Sequence, residues 1–487
     1  MNGWQEPKDG KRIYLITDNT KMDNFMDFIQ DEDIDRIYIT YSESRVNLGI
    51  HYYRNSLYSS NLVGISRIKS VDDETLYDAD GNELIIKVVP RFDVAVVDLL
   101  NYIREDDEFD RYMAPQTVSK RHREKDIESI DRNEIFYFFE NEKPLKVDDG
   151  ISSENSIITV TVFLTLLRLL CKRPLMGRML RNEENLTGKV KGKIVIEKNI
   201  RANTMHGRND RFFCEYLRFS DDILENQILK AALQKAKRFI VDYFGDCSKD
   251  NNNYSSMISF CSNALRHISD KKCSGNMCNG LKFTGCYTYY KPVIAMARMI
   301  LDDISIESNG EISTTGYIVP YAISMEKLFE VYVRAYLKKN GIDSYRNKSD
   351  KGIRLEKFDD KTDVFVDDEE LENPGKYISG SIKPDIVLTD RESGETVVFD
   401  VKYKDFNNGD SRNDRLQLLA YSMMMNANNV GIILPAQIDV DVEIFDPRRI
   451  NSMENRVVKY HQMLLGMKKN NPTIADYIKD KTFDKKN

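Results

Sequence analysis

One short stretch limits what this chain can fold into: Ile382 to Lys404, IKPDIVLTDRESGETVVFDVKYK. Ile386, Val387 and Leu388 predict one strand and Thr396 to Tyr403 a second, with Asp390 to Glu395 supplying turn chemistry around Ser393-Gly394. Side chains alternate faces along a strand, so Asp400 and Lys402 share one face while Phe399 and Val401 share the other. Charges inside an apolar run such as VVFDVKY are rarely buried unless paired or bound to metal. A hairpin sets Asp385, at the start of the first strand, beside Asp400. Two carboxylates and an amine then converge. Hard oxygen ligands of this kind suit Mg²⁺ or Mn²⁺, which polarise a phosphodiester and lower the pKa of a bound water. Lys402 is placed to orient that water or to stabilise charge developing on the phosphate. The competing possibility is a polar hairpin with its charges in water.

The arrangement resembles the PD-(D/E)xK nuclease signature, with Pro384-Asp385 followed fifteen positions later by Asp400-Val401-Lys402. Downstream, Arg412 to Met425 reads as a helix with Leu416, Leu419, Ala420 and Met423 on one face. Gln417 and Tyr421 stand four apart on that helix and so share a face; a Gln-x-x-x-Tyr pair after the DxK strand resembles a feature of RecB-like nucleases. Upstream, Ser324 to Lys338 reads as an amphipathic helix with a Ser cap, a stripe of Leu328, Tyr332 and Ala335 or Tyr336, and Glu326 and Glu330 one turn apart. The superfamily resemblance implies a metal-binding glutamate on this helix, Glu330 first, completing a set with Asp385 and Asp400. Either glutamate facing solvent is the alternative.

The chain has 487 residues, 41% hydrophobic and 31% charged, as expected of a soluble multidomain protein. Its most apolar run, Ile157 to Leu170, is interrupted by threonines and by Arg168 and falls short of the roughly 20 apolar residues of a membrane span. The opening MNGWQEPKDGKR has no apolar segment of the signal-peptide kind, so a cytoplasmic protein is expected, with no membrane contact. Seven cysteines, an odd number, argue for reduced thiols; Cys261, Cys273, Cys278 and Cys286 match no familiar zinc spacing. A net charge of −7 argues against a generally basic coat, so any DNA contact must come from local patches.

In chain order, the sequence predicts a multidomain α+β protein. Residues 1–148 read as a β-rich domain closed by a helix over Val94 to Ile103, with a charge-dense linker or insertion at 104–132. Residues 149–312 read as mainly helical, with helices near 157–170, 225–243, 256–268 and 292–303. Within them Lys189, Lys191 and Lys193 alternate with Val190, Gly192 and Ile194, predicting a strand with one basic face, followed by Arg201, Arg208 and Arg211. Such a face is either simply solvated or a surface for DNA phosphate or a partner's nucleotide site. Residues 313–455 carry the α/β part, including a hairpin-rich acidic stretch at 356–372 and strands at Val430 to Leu434 and Val440 to Phe445. The tail, 456–487, predicts one helix through Met463 and then a run of lysines and aspartates.

Most of the chain resembles the McrC family, the nuclease subunits of McrBC modification-dependent restriction systems. The resemblance rests on VPRFDVAVVDLLNYI (89–103), LMGRMLRNEENLTGKVKGKIVIEKNIRAN (175–203), RFFCEYLRFSDDILENQILKAAL (211–233), MEKLFEVYV (325–333) and KPDIVL with VVFDVKYK. It implies a Mg²⁺-dependent DNA endonuclease with Asp385, Asp400 and Lys402 as its catalytic set. It also implies a hexameric AAA+ GTPase partner whose hydrolysis the chain stimulates, with recognition of methylcytosine-containing DNA left to that partner. One feature of the residues agrees: nothing matches G-x-x-x-x-G-K-[ST], so a nucleotide-driven motor would have to be another protein. A free-standing RecB-like repair nuclease and a non-catalytic adaptor of the motor are the alternatives; the intact Asp385, Asp400 and Lys402 argue against the adaptor.

Overall fold

The structure is a computed structural model that describes residues 2–34, 49–53, 56–70, 74–92, 96–103, 116–118, 135–139, 145–146, 152–244, 253–306, 312–314, 317–318, 320–342, 353–355, 384–390, 394–405, 412–436, 442–445, 448–451, 457–467 and 473–482. The acidic stretch 356–372, and all of 104–132 except 116–118, lie outside them. The chain divides into two compact units, Met1–Glu140 with Pro320–Asn487, and Asn141–Val319. Both mix helices and sheets, so the architecture is multidomain α+β.

Alternation dictates the first sheet. Lys11–Thr17 (KRIYLIT) buries every second residue and pairs in parallel with Glu83–Val89, which pairs antiparallel with Leu62–Arg67. Tyr321–Ser324, expected with the C-terminal part, instead completes this sheet between Leu62–Arg67 and Phe136–Phe139. Gln116–Val118, inside the expected linker, is a strand parallel to Phe136–Phe139. The helix Val96–Ile103 forms as expected and buries Leu99, Leu100 and Ile103.

The second sheet of this unit runs Ile353–Leu355, Ile386–Asp390, Thr396–Val401, Asn429–Pro435, Val457–Leu465 and Val442–Ile444, with Arg448–Asn451 also on Val457–Leu465. The expected helix through Met463 is therefore a strand, parallel to Asn429–Pro435 and buried for most of its length. A parallel strand covered on both faces reads as a continuous apolar run, and periodicity cannot separate that from a buried helix. Nor does the tail dissolve after it: Thr473–Tyr477 is helical, with Ile474, Ala475 and Ile478 buried.

That tail holds a buried histidine. His461 Nε2 lies 2.9 Å from Asn429 Oδ1 and Nδ1 lies 3.0 Å from the Tyr477 hydroxyl, a pairing that suits the neutral ring with the proton on Nε2. Burial, assisted by Lys459, lowers its pKa to about 4. The unfolded chain takes up a proton below about pH 6.5 that the native ring refuses, so stability is lost as pH falls from about 6.5 to about 4, by about 3 kcal/mol. In His461→Gln, the difference in unfolding free energy between pH 7 and pH 4 should shrink by that amount; an unchanged difference would contradict the buried neutral ring.

The second unit packs helices Ser152–Cys171, Leu224–Phe244, Asn253–Ala264 and Tyr290–Asp303 around Phe163, Leu164, Leu167, Ile228, Leu229 and Ala297. It is not only helical. Arg178–Thr187 and Arg211–Ser220 form a ten-residue antiparallel ladder, joined by Lys193–Ile194. Of the three lysines expected on one strand face, only Lys193 is in a strand; Lys189 and Lys191 lie in the connection. Gly192 explains the break. It has φ +70°, and a Cβ there would collide with the Glu215 carbonyl.

Candidate active site

The hairpin register builds the site. Ile386 pairs with Phe399 and Val387 with Val398, which places Asp385 across from Asp400 at the open end of the hairpin. Asp385 Oδ2 accepts the Val401 N–H at 2.8 Å, fixing that end. Asp400 is 1% exposed, and neither of its carboxylate oxygens has an aligned hydrogen-bond partner among the described residues. Lys402 Nζ lies 2.9 Å from Asp400 Oδ2, an ion pair without hydrogen-bond alignment. Burial, Glu330 and then Asp400 push the Asp385 carboxyl well above the ordinary carboxylate range. Burial works against the Lys402 ammonium, but Asp400 and Asp385 outweigh it and raise its pKa, so the lysine stays charged.

The helix Met325–Lys339 flanks this end, with Ser324 accepting the Lys327 N–H as its cap. Leu328, Tyr332, Ala335 and Tyr336 are buried as expected. Glu330 is half-buried and near enough to act on Asp385, but its Oε2 accepts from Lys327 Nζ at 2.7 Å. Glu326 is exposed. As the side chains stand, no three His, Cys, Asp or Glu groups among the described residues are arranged around a metal position, so the third carboxylate expected of this helix is engaged elsewhere. Lys327 escaped the sequence analysis, although its spacing of three from Glu330 was a usable signal.

The helix Arg412–Met424 delivers the pair expected of it. Gln417 Nε2 donates to the Tyr421 hydroxyl at 2.7 Å, and burial followed by Asp400 raises that hydroxyl to about 12. The expected apolar face is wrong: Leu416 and Met423 are exposed, while Leu418, Tyr421 and Ser422 are buried. Lys404 anchors the start of this helix through both oxygens of Asp414, at 3.0 and 2.9 Å.

The remaining candidates belong to the second unit. Lys189, Lys191, Lys193, Arg201 and Arg208 are all exposed; Lys191 Nζ sits 4.1 Å above the Tyr216 ring and Arg201 pairs with Glu197 at 2.8 Å. Cys261, Cys273, Cys278 and Cys286 are in no disulfide, and burial raises Cys278 to about 11, which leaves it protonated and unreactive.

Residues 147–435, more than half of the chain, match the family model of the McrBC 5-methylcytosine restriction system component. The chain belongs to that family. The region shared with other McrBC components takes in Glu330, Asp385, Asp400, Lys402, Gln417 and Tyr421 together with the basic segment. No curated protein matches in sequence. Two solved assemblies resemble it: a half-complex from a tetradecameric assembly of Thermococcus gammatolerans McrB AAA+ hexamers with bound McrC (13% identity, 96% of this chain, 100% of the other, TM-score 0.38), and the Thermococcus gammatolerans McrBC complex (13% identity, 69% and 89%, TM-score 0.28). Membership of the family rests on the sequence match over residues 147–435. Among the described residues no helix is long and apolar enough to cross a membrane.

Proposed function

We propose that this McrBC component is a metal-dependent DNA endonuclease of the PD-(D/E)xK type, cutting DNA in concert with an AAA+ GTPase. The observation that supports this most is Asp400: a buried carboxylate with no aligned hydrogen-bond partner, next to Asp385 and Lys402. Buried acids left in that condition are costly unless a ligand completes them. Mg²⁺ is commonly held by one or two carboxylates, keeping waters for the rest of its shell, so the donor set fits. Asp385 and Asp400 would hold the ion, with Glu330 available once it leaves Lys327. The ion would supply polarisation of the phosphodiester and a water acidic enough to attack.

The chain's own groups divide the remaining work. Lys402, kept charged by the two acids, would face the reacting phosphate or its nucleophile. The Tyr421 hydroxyl, fixed by Gln417, would contribute a neutral hydrogen bond at the same end of the sheet. With no phosphate-binding glycine loop in the sequence, GTP hydrolysis would fall to the partner, whose hydrolysis this chain would stimulate; recognition of methylcytosine-containing double-stranded DNA by that partner is what the family resemblance implies. Lys189, Lys191, Lys193, Arg201 and Arg208 would serve as local contacts to DNA phosphate or to the partner, as a net charge of −7 requires. Calorimetric titration of the full chain with Mn²⁺ tests the metal site. Saturable binding that is lost in Asp385→Asn is expected; no binding, or binding indifferent to that change, would sink it.

A further inference from the structure

Arg91 lies far from the acid–lysine site in sequence, just after the strand Glu83–Val89, yet it reaches the strand that carries Asp400 and Lys402. Its Nη2 donates to the backbone carbonyl of Tyr403, and its guanidinium sits 4.8 Å from the centre of the Tyr403 ring. Asp18 seats the arginine: Oδ1 accepts the Arg91 backbone N–H at 2.6 Å, and Oδ2 lies 3.7 Å from Arg91 Nε. Asp18 is itself tied to the first sheet, its N–H donating to the Val89 carbonyl at 3.0 Å. The Tyr403 ring packs edge-on against Phe92 at 4.9 Å and lies 6.1 Å from Phe329, the residue before Glu330. On its other side Tyr403 is followed by Lys404, which anchors the helix of Gln417 and Tyr421. The segment Tyr403-Lys404 thus links the Asp400 strand to the helix of Glu330 through Phe329 and to the helix of Gln417 and Tyr421 through Asp414.

The buried ion pair of this cluster adds little net stability by itself. Asp18 is completely buried, and burial raises its carboxyl to about 6 in spite of Arg91. Among the described residues, Asp18 Oδ2, Arg91 Nε and Tyr403 Oη have no hydrogen-bond partner. Each such orphan costs about 1–3 kcal/mol, and apolar side chains of similar volume often do as well as a buried ion pair or better. What the arrangement supplies is direction. The planar guanidinium donates to the Tyr403 carbonyl through Nη2 and lies 4.8 Å from the Tyr403 ring, so both the backbone and the ring of Tyr403 are held, and with them the peptide that follows Lys402.

We infer that Arg91, seated by Asp18, is a positioning residue. It clamps the strand end after Lys402 so that the ammonium and the two carboxylates stay converged. The consequence for cleavage rests on the nuclease assignment; the consequence for the strand does not. Two measurements on the full chain separate them. In Arg91→Met, amide exchange of the metal-free protein at Lys402–Lys404 should quicken by about tenfold, with Asn429–Pro435 unchanged. With the GTPase partner, GTP and Mg²⁺, kcat for DNA cleavage should fall about 10- to 100-fold at constant KM. Arg91→Lys, which keeps a cation beside Asp18 but loses the fork, should recover part of both. Should Arg91→Met fail to fold, Asp18→Asn keeps the acceptor for the Arg91 N–H and should show the same two effects more weakly. Unchanged exchange at 402–404 would overturn the clamp. Faster exchange with unchanged kcat would overturn its positioning role. A wild type that does not cut DNA would overturn the nuclease assignment alone, and the exchange rates would still decide the clamp.

Discussion

Asp400→Asn should reduce DNA cleavage by about a thousandfold or more and, in the same protein, raise the metal-free melting midpoint. The two effects have one cause. At the open end of the hairpin, Asp385, Asp400 and Glu330 face Lys402 and Lys327, three acids against two cations, with the exposed Glu326 adding a screened charge. The excess acid helps the protein only when a cation arrives. Asp400 is the most deeply buried of the set and, apart from its ion pair with Lys402, has no aligned hydrogen-bond partner, so its loss removes a metal ligand and one charge of the acidic excess together. Cleavage assays and thermal melts in chelator check the pair of signs. A variant that still cuts, or that is inactive because it melts well below wild type, would remove Asp400 from the site.

Lys402→Met should have the opposite effect on stability. Cleavage should fall by about 10²–10³. Without metal the variant leaves the buried Asp400 without its ion-pair partner, a loss of about 3 kcal/mol or more. Mg²⁺ should restore much of that, because the ion replaces the missing charge. The pH dependence follows from Asp385, whose pKa is already raised. A raised folded pKa means the native state holds a proton that the unfolded chain has released, so stability is greatest below the ordinary carboxylate range and is lost as pH rises through it. Lys402→Met raises that pKa further and should extend the loss to higher pH, beyond the ordinary carboxylate range. Unfolding midpoints across and above that range, with Mg²⁺ and with chelator, read it directly. A midpoint insensitive to both would mean that Lys402 does not balance these acids.

The parts of the site that could be read in the sequence are those fixed by local geometry. The hairpin is short, its turn is marked by Ser393-Gly394, and alternation alone puts Asp400 and Lys402 on one face, so the opposition of Asp385 and Asp400 followed from residue types and spacing. The spacing of four that joins Gln417 to Tyr421 was equally local. The helix that carries them shows the limit: its sequence offers Leu416 and Met423 for burial, yet Leu418 and Tyr421 are the residues that face inward. Val457–Leu465 is a strand because Asn429–Pro435 lies beside it, which no window of its own residues contains. Arg91 reaches Tyr403 across a separation of 312 residues, and only the fold brings them together.

The most direct test is plasmid cleavage in Mg²⁺ with methylated and unmethylated DNA, using the wild-type chain and Asp400→Asn, each with and without the candidate AAA+ GTPase and GTP. Cutting of methylated DNA by the complete wild-type mixture alone, absent with Asp400→Asn although GTP hydrolysis is still stimulated, is the predicted result. Cutting by the isolated chain, or equal cutting with Asp400→Asn, would contradict it.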